Sequence, residues 1–249
     1  MSIALQTHGL VRRFGGFAAT DHVNLSIAAG ARHALIGPNG AGKTTLINLL
    51  TGYLAPTEGR ISLLGEDVTR MPQHQRCRRG LVRTFQINQL FGDMTVLESV
   101  ALAVGERHGL GARWWKPLAA QAEAVDEAAL ILERLRLLSD AYELTRNLAY
   151  GRQRLIEIAL ALALRPKVLL LDEPAAGVPT SESRELFEVI AQLPREVTIV
   201  LIEHDMDLVF RFADRISVLV SGTLLLEDTP EVIAQHPRVR EVYLGQAHG

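Results

Sequence analysis

Short apolar runs broken by glycine-containing turns dominate the first third of the chain. Ile3 to Leu10, His22 to Ile27 and Arg32 to Ile36 predict strands, bounded by turns at Gly15-Gly16 and Gly30. A glycine-rich loop follows, then a helix over Lys43 to Leu50 and a strand over Arg60 to Leu64. From Thr95 to Leu138 the pattern becomes mostly helical. Val125, Ala128, Leu132 and Leu135 recur at helical spacing and predict one apolar face. Gly109 to Pro117, with Trp114 and Trp115, reads as a loop. The last third alternates strand and helix. Lys167 to Leu171 and Val197 to Ile202 are apolar strands, while Ser181 to Leu193 and Asp205 to Phe212 are helices. Arg215 to Val220 and Thr223 to Glu227 flank a turn at Ser221-Gly222, and Thr229-Pro230-Glu231 opens a helix with Thr229 as its cap. Apolar strands alternating with helices imply an α/β protein with a parallel sheet covered on both faces.

Composition narrows the class. The 249 residues carry 26 Lys plus Arg against 28 Asp plus Glu, a net charge of −2 that gives no general attraction for nucleic acid. A single cysteine, Cys77, excludes an internal disulfide framework. The most apolar region, Leu155 to Leu171, is interrupted by Glu157, Arg165, Pro166 and Lys167, so no membrane span is expected. Met1 to Phe14 lacks the apolar centre of a secretory signal, which predicts a cytoplasmic chain.

The strongest chemical signal is Gly37-Pro38-Asn39-Gly40-Ala41-Gly42-Lys43-Thr44, between an apolar strand and a helix. Glycines let successive backbone N–H groups converge on an anion, and the helix N-terminus adds partial positive charge. Lys43 supplies a full charge to the outer phosphates. The Thr44 hydroxyl is placed to ligate Mg²⁺, and Thr45 to support a phosphate oxygen. The second signal is Val168 to Leu171 ending in Asp172-Glu173, two acids at the C-terminal edge of a parallel strand, where ligands bind in such folds. Asp172 is suited to hold Mg²⁺ through water, and Glu173 to polarise the attacking water.

Four more segments stand in a fixed order around these two: Phe14 ahead of Gly15-Gly16, Thr84-Phe85-Gln86, Leu148 to Arg154, and Ile202-Glu203-His204-Asp205. Together the six resemble the ATP-binding-cassette (ABC) ATPases over essentially the whole chain. That resemblance implies a P-loop NTPase (RecA-like) core with an N-terminal antiparallel β subdomain and an inserted α-helical subdomain. The core would fall near 1–86 and 151–249, the helical part near 87–150. Phe14 would stack on adenine. Gln86 would sense the γ-phosphate through Mg²⁺ and water, and His204 would contact the γ-phosphate and orient Glu173. Ala149, Tyr150, Gly151 and Arg152 would form the signature that caps ATP held by a second subunit. Ala149 stands where the family commonly has Ser, Arg152 where it has Gln or Glu, and Pro179 where it often has Asp.

Arg13 to Gly16, Arg83 to Gln86, Asn147 to Gly151, Asp172 to Gly177, Ile202 to Met206 and Tyr243-Leu244-Gly245 look like the longer of the two ATPase subunits of branched-chain amino acid importers. The resemblance implies ATP and Mg²⁺ as cofactors, and a homo- or heterodimer of ATPase subunits. It also implies integral-membrane permease partners, an indirect periplasmic binding protein, and a place on the cytoplasmic face of the bacterial inner membrane. Trp114 and Trp115 either join the permease contact or anchor their loop. The alternatives are a soluble ABC ATPase acting on ribosomes or nucleic acid, an ATPase of a lipopolysaccharide exporter, and a nucleotide-binding scaffold without catalysis. For the nucleic-acid alternative, Arg76, Arg78, Arg79 and Arg83 form either a basic patch or a set of structural ion pairs and solvated side chains.

Overall fold

The computed structural model describes residues 2–84, 90–109 and 122–244. The expectations for Phe85, Gln86, Trp114, Trp115 and Gly245, and most of the predicted loop at 109–117, lie outside the described residues. In chain order the structure runs β1 (Ile3–Phe14), β2 (Phe17–Val23), β3 (Ser26–Ala28), β4 (Arg32–Ile36), α1 (Lys43–Thr51), β5 (Glu58–Leu63), β6 (Glu66–Asp67), α2 (Gln73–Arg78) and β7 (Leu81–Arg83). It continues with α3 (Val96–Arg107), α4 (Ala122–Arg134), α5 (Tyr150–Ala163), β8 (Val168–Asp172), α6 (Thr180–Ala191), β9 (Thr198–Ile202) and α7 (Met206–Phe212). The last elements are β10 (Arg215–Val220), β11 (Thr223–Asp228), α8 (Pro230–Gln235) and α9 (Pro237–Leu244).

Two compact units result. One joins residues 1–83, 167–173 and 195–249; the other joins 84–166 and 174–194. The first holds two sheets. β2, β1, β5 and β6 form an antiparallel sheet, with β3 also paired to β1. The second sheet has the order β11-β10-β4-β9-β8-β7. In it β10, β4, β9, β8 and β7 pair in parallel, and β11 adds antiparallel at the edge. Every residue of β4, β8 and β9 is buried, as a sheet covered on both faces requires. Alternation along β4 assigns the two faces. Leu35 joins Leu46 and Leu49 of α1, Leu170 of β8 and Val200 of β9. Ala34 and Ile36 join Val209 of α7, Ile233 of α8 and Val239 of α9 on the other side.

Local chemistry corrects several predicted boundaries. β1 extends past Leu10 to Phe14, where Gly15-Gly16 closes a hairpin pairing Phe14 with Phe17. The predicted strand at His22 to Ile27 is two strands, because the chain leaves β2 after Val23 to pair β3 with the other end of β1. In α4 the buried face is centred on Ala124, Ala128, Ile131 and Leu132, with Val125 half-buried at its margin. Thr229 occupies the cap position of α8, but its side chain makes no capping hydrogen bond.

A buried polar chain sits beside the strand that feeds the glycine-rich loop. His33 Nε2 lies 2.8 Å from Ser217 Oγ, which donates to Glu227 Oε2 at 2.9 Å. Burial lowers the His33 imidazole to about 4, with Glu227 opposing the shift and Arg215 reinforcing it. The unfolded histidine therefore takes up a proton near its ordinary value of 6.5, and the folded one does so only near 4. The contribution of His33 is full above that window and is lost as pH falls through it. The melting temperature of wild type should drop between those pH values more steeply than that of His33→Gln, which keeps a donor but no titration. Parallel melting curves would show the His33 contribution to be negligible.

The second unit is helical. α3 opens with a capping box, Thr95 accepting from the Glu98 backbone while Glu98 accepts from the Thr95 backbone. Glu127 of α4 receives Arg107 of α3 at 2.5 Å and Arg165 at 3.0 Å, and these bonds, Arg107 first, hold its carboxyl down to about 2.

Candidate active site

Residues 37–42 turn out of β4 and into α1. Gly42 has φ +98°, and a Cβ there would lie 2.3 Å from the Ala19 carbonyl oxygen, so only glycine fits. Gly40 has φ +77° with open space where a side chain would be. The loop thus turns a bare backbone toward solvent at the start of a nine-residue helix. Asn39 is exposed, Pro38 half-buried, and Ala41 buried, with its N–H on the Pro38 carbonyl at 3.1 Å. Thr44 is exposed and Thr45 half-buried. Lys43 is buried beneath them, its ammonium donating to the Gly37 carbonyl at 2.6 Å and the Pro38 carbonyl at 3.0 Å. Burial pulls that ammonium below the ordinary lysine range, while the carboxylates of Glu173 and Asp172 oppose the shift.

The carboxylates arrive from the adjacent strands. Asp172 ends β8 and is buried; Glu173 is the next residue and takes φ +49°, a left-handed conformation that non-glycine residues rarely hold. A hydrogen bond from the Glu173 N–H to the Ile202 carbonyl, 2.9 Å, fixes this turn against β9. His204 follows β9, and its Nε2 lies 2.5 Å from Glu173 Oε1. Lys43, Asp172, Glu173 and His204 therefore gather at the C-terminal ends of parallel strands. Phe14 is exposed and carries the Arg12 guanidinium 4.7 Å from its ring centroid, so one aromatic face is already occupied.

The predicted signature lies in the helical unit. Ala149 caps α5 without any side-chain bond, Tyr150 is half-buried and Gly151 buried. The Gly151 N–H donates to Glu182 Oε2 on α6 at 2.9 Å. Ala149, Gly151, Arg152, Leu155, Glu182, Glu185 and Leu186 line a cavity of about 240 Å³. Arg152 donates to the Arg136 carbonyl at 2.6 Å and lies near Asp140 and Glu185. Pro179 is exposed and precedes α6.

Among the arginines weighed as a basic patch, Arg76 is buried and donates to the carbonyls of Leu49, Leu50, Met71 and Thr69. Two of these carbonyls end α1, so Arg76 closes that helix. Arg79 pairs with Glu66 at 2.8 Å, and Arg83 with Asp172 at 2.5 Å. Three site contacts escape sequence reading: Arg83 on Asp172, Glu182 on Gly151, and the Tyr243 phenol on the Gly37 backbone. Arg83 and Tyr243 stood in segments of the resemblance, Arg83 to Gln86 and Tyr243-Leu244-Gly245, though without these partners; Glu182 carried no signal. Burial pushes the Tyr243 phenol up to about 12.

A family model described as ABC transporter matches residues 20–176. The chain belongs to the ABC transporter family. A second model, branched-chain amino acid ATP-binding cassette transporter, matches residues 223–249. The chain is similar to the high-affinity branched-chain amino acid transport ATP-binding protein LivG of Escherichia coli, with 46% identity over 98% of both chains. It is also similar to the BraF protein of the same description in Pseudomonas aeruginosa, with 43% identity over 98% of both chains. Among solved structures, the ADP conformation of an ATP-binding cassette of an ABC transporter superposes with a TM-score of 0.86 and 34% identity, covering 98% of this chain and 100% of that one. The cassette is accordingly an ABC-type ATPase of a nucleotide-binding family. Its P-loop core, antiparallel sheet and helical unit are the ABC ATPase fold. No helix among the described residues is long and apolar enough to cross a membrane.

Proposed function

We propose that the cassette is the ATP-hydrolysing subunit of an importer for branched-chain amino acids or a closely related small solute. It would work with integral-membrane permeases, on the cytoplasmic face of the inner membrane. The observation that carries the hydrolytic part is the Glu173–His204 contact at 2.5 Å beside Lys43 and Asp172. The cargo rests on the printed function of the relatives at 46% and 43% identity.

In this reading ATP lies with adenine against Phe14 and its phosphates over residues 37–45. The Lys43 ammonium turns from the loop carbonyls to the β- and γ-phosphate oxygens. Thr44 and Asp172, with Gln86, offer hard oxygen donors of the kind Mg²⁺ prefers. When bound, Mg²⁺ neutralises charge building on the phosphate oxygens. Glu173 takes a proton from water as the water oxygen bonds to the γ-phosphorus and the bond to the β-phosphate oxygen breaks, leaving ADP and phosphate. His204 holds Glu173 and faces the γ-phosphate. Gly151 of a second ATPase subunit caps that phosphate from across a head-to-tail dimer. The Glu182 carboxylate that now accepts from the Gly151 N–H occupies the place of an anion there.

The cargo is tested by reconstituting the subunit in proteoliposomes with integral-membrane permeases and a periplasmic binding protein of a branched-chain amino acid importer. Leucine, isoleucine or valine should stimulate phosphate release and enter the vesicles. Stimulation by none of the three, with another solute transported, would overturn the cargo assignment.

A further inference from the structure

Arg83 ends the edge strand β7, and its register decides where its side chain goes. It pairs with Leu170 of β8, so both side chains stand on the same face, the one packed against α1. Asp172, two residues beyond Leu170, stands on that face too, diagonal to Arg83. The result is a buried ion pair, Arg83 Nη2 to Asp172 Oδ2 at 2.5 Å, the side chains 14% and 7% exposed. The other terminal nitrogen, Nη1, donates to Asn48 Oδ1 on α1 at 2.8 Å. Asn48 lies four residues after Thr44, one turn along the same helical face.

We propose that Arg83 is a positioning residue for the cation of MgATP. One planar guanidinium ties the strand that ends in Asp172 to the helix that begins at Thr44. It fixes the spacing of the two protein oxygens that receive the cation. It holds one oxygen of the Asp172 carboxylate, Oδ2, and so fixes the carboxylate's orientation. Lysine carries the same charge but not the two-pronged fork, so position and charge are separable at this site. The inference rests on the reading of Asp172 and Thr44 as cation ligands.

The test uses the full chain in a Glu173→Gln background, with Mn²⁺ as the probe. Mn²⁺ affinity in the presence of ATP is read by electron paramagnetic resonance, and ATP affinity in EDTA by calorimetry. Arg83→Lys and Asn48→Ala, both of which keep the positive charge in the site, should each weaken Mn²⁺ about tenfold. ATP affinity in EDTA should stay within about twofold, because residues 37–43 are untouched. Unchanged or tighter Mn²⁺ binding in both variants overturns the proposal. So does a parallel loss of ATP affinity in EDTA, which would mark general damage to the site. Asp172→Asn separates the two readings. If it also leaves Mn²⁺ binding unchanged, the ligand assignment fails; if it alone weakens binding, the role of Arg83 fails by itself.

Discussion

Glu173→Gln abolishes measurable ATP hydrolysis while ATP still binds. The amide has nearly the shape of the carboxylate and can still share a hydrogen bond with His204 Nε2, now 2.5 Å from the carboxylate. It cannot take a proton from water. General base catalysis contributes about 10²- to 10⁴-fold, so the turnover rate should fall by at least the lower figure. That is about 3–5 kcal/mol of transition-state stabilisation. Binding should persist because Lys43 and residues 37–42 are unchanged. With hydrolysis blocked, ATP should accumulate between two subunits. Size-exclusion chromatography with ATP should show a dimer for the variant and a monomer for wild type after turnover. Phosphate release at the wild-type rate would remove Glu173 from its role as base. The left-handed backbone at Glu173, φ +49°, is unaffected by the change, so the fold should be as well.

Lys43→Ala removes ATP binding itself. The ammonium is the only full positive charge that α1 brings to the phosphate loop, and it is already held inside the loop by two carbonyls, at 2.6 and 3.0 Å. It therefore stands next to the phosphate position and has only to exchange these carbonyls for phosphate oxygens when nucleotide arrives. Charge-assisted hydrogen bonds contribute about 1.5–3 kcal/mol each, and two to the phosphates would amount to about 3–6 kcal/mol. The expected loss of ATP affinity is at least about 10²-fold. Calorimetric titration measures it directly. Thermal melting gives a second readout: ATP should raise the melting temperature of wild type and leave that of Lys43→Ala in place. A variant stabilised by ATP as strongly as wild type would contradict the placement of the phosphates over this loop.

The parts of the site legible in the sequence are those built from neighbours in the chain. Gly37 to Thr44 can be read because wrapping a backbone round an anion needs glycines and a lysine within one turn of chain, next to a strand and a helix. Asp172 and Glu173 can be read because an apolar strand delivers its last residues to the ligand edge of a parallel sheet. Boundaries are less legible. The break between Val23 and Ser26 follows from β3 pairing with the far end of β1, a partner about twenty positions away. Val125 lies at the margin of the α4 core because packing against α3 and α5, not spacing, sets which side of that helix is centred inward.

The arginines show the difference most clearly. Along the chain Arg76, Arg78, Arg79 and Arg83 are one basic run. In the fold Arg76 closes α1, Arg79 pairs on the surface with Glu66, and Arg83 grips Asp172 across 89 positions. The Glu182 carboxylate likewise reaches the Gly151 N–H from 31 positions away. No periodicity records such pairs, because charge acts through space and any nearby acid would serve.

By itself the sequence determined the class of chemistry, the strand–loop–helix that holds phosphate, the acids at the sheet edge and the family. These depend on backbone conformations and side-chain types that adjacent residues impose on one another. The tertiary structure alone decided which distant groups meet: Arg83 with Asp172 and Asn48, and Glu182 with the Gly151 N–H. Those contacts depend on strand register and on which face of a sheet a helix covers, and only the packed core selects them.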